Sequence, residues 1–190
     1  MRKRLRDMPS DEELARLYAK PHQHAAWADH RVRVDVTTAM AAHMLVRAGS
    51  TIADLSCGDA SIARRLQAEH GGRRLILGDF APGYELCGPI EKTVELLRYR
   101  QADLFILSET IEHLDDPDAV LARIREKCDR LILSTPDGET DDKNPEHVWG
   151  WDAEEVESML KIAGFTPAMH TTLDLRPAGY VYSYQIWACT

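Results

Sequence analysis

Residues 51–67, TIADLSCGDASIARRLQ, join a buried strand to a helix through a turn of small residues. The apolar start of the segment is typical of a strand, and its second half has a helical pattern. A turn of this kind, between a strand and a helix, usually brings a ligand against the backbone. The segment therefore predicts an α/β fold with a ligand site at residues 54–60.

The rest of the chain repeats this alternation of strand-like and helix-like runs. Strands are predicted at 51–56, 74–80, 84–88, 102–109, 130–136, 166–175 and 180–190. Helices are predicted at 60–70, 116–128 and 153–164, and Ser10 with Glu13 forms a capping box for a short helix near the start. Residues 1–8 are charged, and we expect them to be frayed. Apolar strands that alternate with amphipathic helices predict a parallel sheet covered on both faces.

Length and composition predict one domain over residues 1–190, with 1–50 as a helical cap and 51–190 as the core. Of the 190 residues, 44% are hydrophobic and 28% are charged, which is ordinary for a globular protein. No apolar run reaches the roughly 20 residues of a membrane span, and no secretory signal is recognisable, so we expect a cytoplasmic protein. The net charge of −8 disfavours a nucleic-acid partner.

The turn after Asp54 is a poor site for a diphosphate. A dinucleotide site needs G-x-G-x-x-G, whereas only Gly58 is present here, and Asp59 would lie beside a phosphate. Asp79 ends the next strand, where a carboxylate accepts hydrogen bonds from ribose hydroxyls, and Phe80 can lie against a flat base. A ribose and a base without phosphate, joined to a cation, describe S-adenosylmethionine.

Five segments in order resemble the motifs of class I S-adenosylmethionine-dependent methyltransferases: ADLSCGDASIA, LILGDF, DLFILSETIEHLDDPDAVL, RLILSTPDG and EHVWGWDAEEVESMLKIAGF. The resemblance implies a seven-stranded, mostly parallel sheet of order 3-2-1-4-5-7-6, with the last strand antiparallel. It implies cofactor contacts at Asp54, Ser56, Cys57 and Gly58 for the methionine end, Asp79 for ribose, Phe80 and the backbone of Ile90 for adenine, and Ser108 for the sulfonium side. Pro89 stands where the family usually has an acid that binds adenine.

The N-terminal arm has two interpretations. In the first, the arm forms a lid over the cofactor, Arg33 pairs with the cofactor's carboxylate, and Tyr18 or Trp27 covers the acceptor. Alternatively, it is a helix packed on the sheet edge with its arginines in water. A lid would exclude water from the transfer.

A second cluster, Glu109, Glu112 and His113, is spaced for one face of a helical turn, and His147 follows in a later loop. In one interpretation, the acids only complement a helix dipole. A sharper hypothesis is a Mg²⁺ or Mn²⁺ site formed by Glu109, Glu112, His113 and His147, because these mixed ligands suit such ions. The pattern also locally resembles metal-dependent 2′-O-methyltransferases of RNA 3′ ends. In a third interpretation, His113 or His147 is the general base, with His113 the better candidate.

The resemblance and the residues together predict methyl transfer from S-adenosylmethionine to an oxygen or nitrogen of a small-molecule acceptor. Two alternatives stay open: metal-assisted methylation of RNA ends, and a non-catalytic partner subunit that only holds the cofactor. Acceptor specificity is expected in the N-terminal arm and in the loop over residues 137–151.

Overall fold

The computed structural model describes residues 1–23, 26–45, 49–71, 74–138, 142 and 144–190. Within these residues the strands are β1 (Arg2–Arg4), β2 (Thr51–Asp54), β3 (Arg74–Asp79), β4 (Leu86–Cys87), β5 (Leu104–Ser108), β6 (Leu131–Pro136), β7 (Trp149–Trp151), β8 (Pro167–Asp174) and β9 (Ser183–Cys189). The α-helices are α1 (Asp11–Leu17), α2 (Ala28–Met44), α3 (Ser61–His70), α4 (Ile90–Thr93), α5 (Pro117–Lys127) and α6 (Ala153–Ile162).

Seven of the strands form one sheet in the order β4-β3-β2-β5-β6-β9-β8. Strands β2 to β6 pair in parallel, and β9 runs antiparallel to both of its neighbours. This is the order 3-2-1-4-5-7-6 with the last strand antiparallel, so the predicted fold class is confirmed. The carboxyl ends of the parallel strands therefore meet at one edge, where α/β sheets bind ligands.

The sheet is covered on both faces, as its apolar strands require. Along β5, Leu104 and Ile106 belong to the core beneath α2 and α3, whereas Phe105 and Leu107 belong to the core beneath α5 and α6. This alternation follows from the two-residue period of a strand. Each β5 residue is buried, which explains why the strand reads as a continuous apolar run rather than an alternating one.

The first residues of the chain are ordered, so the expectation of a frayed start is wrong. Strand β1 pairs antiparallel with β7, a short strand in the loop after β6 that the sequence analysis did not predict. The guanidinium of Arg2 lies 4.3 Å from the ring centre of Trp149 and pairs with Asp118. The charged side chain of Arg2 thus stabilises the pairing of β1 with β7 by contacting an aromatic ring and a carboxylate. The amino-acid composition of residues 1–8 does not reveal these contacts.

Local capping signals place the helices. Ser10 and Glu13 form the predicted capping box of α1, and Asp116 caps α5, whose first residue is Pro117.

Among the described residues, no helix combines the length and the apolar character that crossing a membrane demands.

Candidate functional site

The turn after β2 keeps its shape although two glycines of the family pattern are missing. Gly58 and Ala60 both have left-handed backbone, with φ of 54° and 57°. The amide of Ala60 donates to the carbonyl of Cys57 at 2.6 Å, and the amide of Cys57 donates to the carbonyl of Gly78 at 3.0 Å. These bonds hold the turn against β3 and outweigh the strain of a left-handed alanine.

Asp79, at the end of β3, binds the turn directly. One carboxylate oxygen accepts from the amide of Gly58 at 2.7 Å, and the other accepts from the amide of Ala81 at 2.8 Å. Each oxygen keeps a second lone pair. The carboxylate can therefore hold the turn in place and still accept hydrogen bonds from a ligand.

Asp54, at the end of β2, is buried at 4% exposure. Burial raises its pKa from 3.8 to about 8, and the nearby carboxylates of Asp79 and Asp59 act in the same direction. A hydrogen bond from the backbone of Ser56 opposes the rise. A carboxyl group this perturbed at a strand end is typical of functional sites, because a cationic ligand would offset the unfavourable charge.

A cavity of about 520 Å³ lies at this edge of the sheet. Its size falls in the range of roughly 300–1,000 Å³ that is typical of small-ligand sites. The N-terminal arm supplies one wall, with Met8, Pro9, Asp11, Leu14, Leu17, Tyr18 and His22. The strand ends and their loops supply the rest, with Leu55, Ser56, Gly58, Asp79, Phe80, Pro89, Ile90, Glu91, Lys92, Ser108, Glu109, Thr110, His113, Leu114 and Glu146.

Ten of the residues that the sequence analysis singled out line the cavity. They are Tyr18, Ser56, Gly58, Asp79, Phe80, Pro89, Ile90, Ser108, Glu109 and His113. Five others are buried and are not part of its lining: Arg33, Asp54, Cys57, Glu112 and His147. The Tyr18 ring lies 5.3 Å from that of Phe80, so the arm meets the predicted adenine side.

Arg33 is fully buried and faces the sheet rather than the cavity. Its guanidinium donates to the hydroxyl of Ser108 and lies 3.9 Å from the carboxylate of Glu109. The hydroxyl of Ser134 also donates to Glu109, at 2.8 Å. Burial raises the pKa of Glu109 to about 7, although the charge of Arg33 opposes that rise. The contact of Arg33 with a cofactor carboxylate thus stays a prediction.

Glu109, Glu112 and His113 do not share one face of an α-helix, so that part of the prediction is wrong. Glu109 has a left-handed backbone with φ of 51°, and residues Ile111–His113 form a single 3-10 turn. Glu112 consequently points inward, where Thr135 donates to one of its oxygens at 3.0 Å. The other oxygen of Glu112 is buried without a hydrogen-bond partner among the described residues.

His113 lines the cavity in a defined orientation. Its Nδ1 lies 2.9 Å from the carbonyl oxygen of Glu146, so Nδ1 carries the proton and donates. Its Nε2 then has a free lone pair, 3.8 Å from the unpartnered oxygen of Glu112. Burial and the nearby charge of His147 lower the pKa of His113 to about 4, which keeps this imidazole neutral at pH 7.

His147 is held by its own loop, and both ring nitrogens are engaged. Nδ1 bonds to the carboxylate of Asp142, and the side-chain amide nitrogen of Asn144 lies 3.0 Å from Nε2. Burial disfavours the charged ring, but the bond to Asp142 and the neighbouring carboxylates outweigh this and raise the pKa of His147. His147 contacts His113 ring to ring, with centres 4.9 Å apart.

Glu112, His113 and His147 each offer one possible metal-ligand atom, and these atoms lie within 4.8 Å of one another. The donor set fits a divalent ion only in part. Glu112 and His113 have free donor atoms, whereas a metal bond to His147 would displace Asp142 or Asn144. Glu109, the fourth predicted ligand, is instead engaged by Arg33 and Ser134.

Sequence reasoning missed the residues that orient the two histidines. Asp142, Asn144 and Glu146 lie in the polar loop that was expected to set specificity, and Arg6 lies in the segment expected to be frayed. No motif marks them, although short polar residues that alternate before a histidine are typical of Asx turns. Residues 139–141 and 143 of that loop lie outside the described residues.

Comparisons with known proteins support the fold. No family profile and no curated protein sequence matches the chain. The structure is similar to a Burkholderia thailandensis 1,6-didemethyltoxoflavin-N1-methyltransferase with bound 1,6-didemethyltoxoflavin and S-adenosylhomocysteine, with a TM-score of 0.68 at 16% identity over 97% of this chain and 91% of that one. An S-adenosylmethionine-dependent methyltransferase from Archaeoglobus fulgidus has a TM-score of 0.63 at 14% identity, over 83% of this chain and 94% of that one.

The [4+2]-cyclase SpnF is also similar, with a TM-score of 0.74 at 10% identity over 97% of both chains. The chain therefore has the class I S-adenosylmethionine-dependent methyltransferase fold, as the resemblance of its motifs implied. Because one protein of this fold is named as a cyclase, the fold alone does not identify the reaction.

Proposed function

We propose that the protein transfers a methyl group from S-adenosylmethionine to an oxygen or nitrogen atom of a small-molecule acceptor. One observation carries the proposal. A single cavity contains both the donor-side residues Asp79 and Phe80 and a neutral histidine, His113, whose free Nε2 can accept a proton.

The donor would lie along the ends of β2, β3 and β5. Asp79 would accept from the ribose hydroxyls through its remaining lone pairs, and Phe80 would pack on the adenine. The turn at Ser56 to Gly58 would hold the methionine end, and Asp54 behind it would offset the positive charge of the ammonium and sulfonium groups. Ser108, which lines the cavity, would lie under the sulfonium side. When bound, S-adenosylmethionine supplies the electrophilic methyl group.

His113 would act as the general base on the acceptor side. Methyl transfer is an in-line displacement that depends mainly on positioning, and a hydroxyl or ammonium acceptor must also lose a proton. The bond from Nδ1 to the carbonyl of Glu146 selects the tautomer whose Nε2 accepts that proton. The unpartnered oxygen of Glu112, 3.8 Å away, would then stabilise the imidazolium that forms. His147 is a weaker candidate because both of its nitrogens are already bonded.

The charges of the cavity favour a small acceptor over the end of an RNA. Lys92 is the one lysine or arginine in its described lining. Its carboxylates are Asp11, Asp79, Glu91, Glu109 and Glu146. Together with the net charge of −8, this lining would repel a polyanion.

Metal-assisted transfer is the second candidate, and the unpartnered oxygen of Glu112 beside His113 is the observation that favours it. Mg²⁺ or Mn²⁺ would need to take these two donors and release His147 from its loop. Turnover that survives dialysis against EDTA would remove this candidate. Turnover that is lost and then restored by Mn²⁺ would replace the general-base mechanism.

The proposal is tested first by calorimetry with S-adenosylhomocysteine, where we expect saturable binding. Transfer of a labelled methyl group from S-adenosylmethionine is then screened over amines, phenols and alcohols. His113→Ala should slow the transfer by about 10²- to 10⁴-fold and leave the S-adenosylhomocysteine affinity unchanged. His70→Ala, at the end of α3, is the matched control. Failure to bind S-adenosylhomocysteine, or full activity of His113→Ala, would contradict the proposal.

A further inference from the structure

We infer that the N-terminal strap, residues 1–6, is a positioning element for the candidate catalytic histidines, and that Arg6 is its central positioning residue. The inference rests on the proposed function, because it assigns the strap to the acceptor side of that site. Strand β1 pairs with β7, and the amide of Leu5 extends this pairing by donating to the carbonyl of Val148 at 2.8 Å. The strap therefore adjoins the histidine loop, which is residues 142 and 144–148.

Arg6 binds the backbone of this loop at two points. One guanidinium nitrogen donates to the carbonyl of Asn144, and another donates to the carbonyl of Asp142 at 2.6 Å. The side chains of these same two residues engage the two ring nitrogens of His147. Arg6 thus holds the backbone from which both partners of His147 arise.

The same loop orients His113. Glu146 of this loop provides the carbonyl that accepts from His113 Nδ1 at 2.9 Å, and the amide of Glu146 donates to the side chain of Asn144 at 3.0 Å. The amide of Val148 also donates to the carbonyl of Glu112 at 2.7 Å, which ties the loop to the 3-10 turn. A displacement of the loop would therefore change the orientation of both histidines at once.

The geometry suits arginine in particular. The guanidinium presents several donors in a planar fork, so one side chain can bond two carbonyls that face it from different residues. A lysine has one nitrogen at the end of a flexible chain, and it would hold one carbonyl well or both poorly. Arg6→Lys should therefore restore the loop only in part.

The turn on the donor side is held by its own bonds, and the histidine loop reaches that side through Tyr18, whose hydroxyl donates to Glu146 at 3.2 Å and whose ring lies 5.3 Å from that of Phe80. Asp79 and Phe80 lie at the end of β3, and their turn is held by bonds within residues 57–81. A loss of Arg6 should consequently disturb the histidines far more than the affinity for S-adenosylhomocysteine. This separation distinguishes a positioning role from general instability.

The test uses the full chain with Arg6→Ala, Arg6→Lys and the control Arg4→Ala. Arg4 lies in the same strap and also stacks near Trp149, but its ion pair is with Asp115, outside the histidine loop. Its Nε donates to the carbonyl of Arg6 at 3.3 Å in an exposed position, and its side chain makes no bond with the loop among the described residues. Histidine ring N–H signals and amide exchange are read by NMR, and S-adenosylhomocysteine affinity is read by calorimetry.

We expect Arg6→Ala to lose the protected ring N–H signal of His147 and to exchange the Val148 amide at least about tenfold faster, since the loss of one of the two charge-assisted hydrogen bonds of Arg6 would already have that effect. Arg6→Lys should be intermediate, and Arg4→Ala should match the wild type. Unchanged histidine signals in Arg6→Ala would overturn the inference, as would equal effects of Arg4→Ala. If Arg6→Ala does not fold, the Arg6→Lys spectrum decides by the same criteria. Failure of the wild type to bind S-adenosylhomocysteine would overturn only the proposed function, since the histidine signals still decide the role of Arg6.

Discussion

Replacing Asp54 by asparagine should stabilise the ligand-free protein and weaken its hold on the methyl donor. The carboxyl group is buried, and its main favourable contact is a hydrogen bond from the backbone of Ser56. Asparagine keeps an oxygen that can accept this bond but carries no charge. The substitution therefore removes the electrostatic penalty of the site while it preserves the local hydrogen bond.

The size of the effect follows from the pKa of Asp54, which burial raises from 3.8 to about 8. Because the pKa is higher in the folded state, the penalty is absent below pH 3.8, grows as the pH rises, and levels off above about pH 8. At about 1.4 kcal/mol per pH unit, it is on the order of 4 kcal/mol at pH 7. The advantage of the Asp54→Asn variant should grow by on the order of 3 kcal/mol between pH 5 and pH 8.

Urea unfolding at pH 5, 7 and 8 measures this difference directly. Asp174→Asn is the control, since Asp174 is exposed and its hydrogen bonds with Arg176 lower its pKa, so it stays ionised over the whole range. Calorimetry should show S-adenosylhomocysteine binding at least about tenfold weaker in Asp54→Asn, from the lost charge. A variant that is less stable than the wild type at pH 8, or whose advantage does not grow with pH, would refute this account of Asp54.

Other substitutions probe the turn and the base. Asp79→Ala removes the acceptor of two backbone amides and should lower the unfolding free energy in urea by roughly 2–4 kcal/mol. Ala60→Gly relieves a left-handed alanine and should raise that free energy by about 1 kcal/mol. Gly78→Ala would place a Cβ 2.7 Å from the carbonyl oxygen of Leu86, so the melting temperature should fall by several degrees, roughly the effect of 1–3 kcal/mol. Because His113 has a pKa of about 4, its protonation should not slow methyl transfer between pH 8 and pH 6. A wild-type rate that falls with a midpoint near pH 6.5, where the rate of His113→Ala does not, would contradict this.

Much of the fold could be predicted because its signals are local. The apolar run over Leu104–Ser108 is buried on both sheet faces, and capping residues such as Ser10 and Asp116 mark helix starts within four residues of the bonds they make. The strand order came from the resemblance of the motifs, since pairing between distant strands leaves no local mark. Strand β1 was missed because its partners, Trp149 and Trp151, lie almost the whole chain away.

The donor side of the site was also within reach of the sequence. Residues at the ends of parallel strands meet at one edge whatever the details of packing, and so Ser56, Asp79, Phe80 and Ser108 line the same cavity. The acceptor side could be predicted less well from the sequence. The left-handed backbone at Glu109 turns its carboxylate to Arg33, and a short 3-10 turn sends Glu112 inward.

By itself, the sequence determined the order of elements, the parallel core and the strand ends that line the cavity. These follow from the period of apolar residues and from short-range capping, which depend on neighbours in the chain. The tertiary structure alone decided which histidine has a free nitrogen and how deeply each carboxyl group is buried. Tautomers and pKa values depend on partners such as Glu146 and Asp142, which reach His113 and His147 only after the loop has packed against the strap.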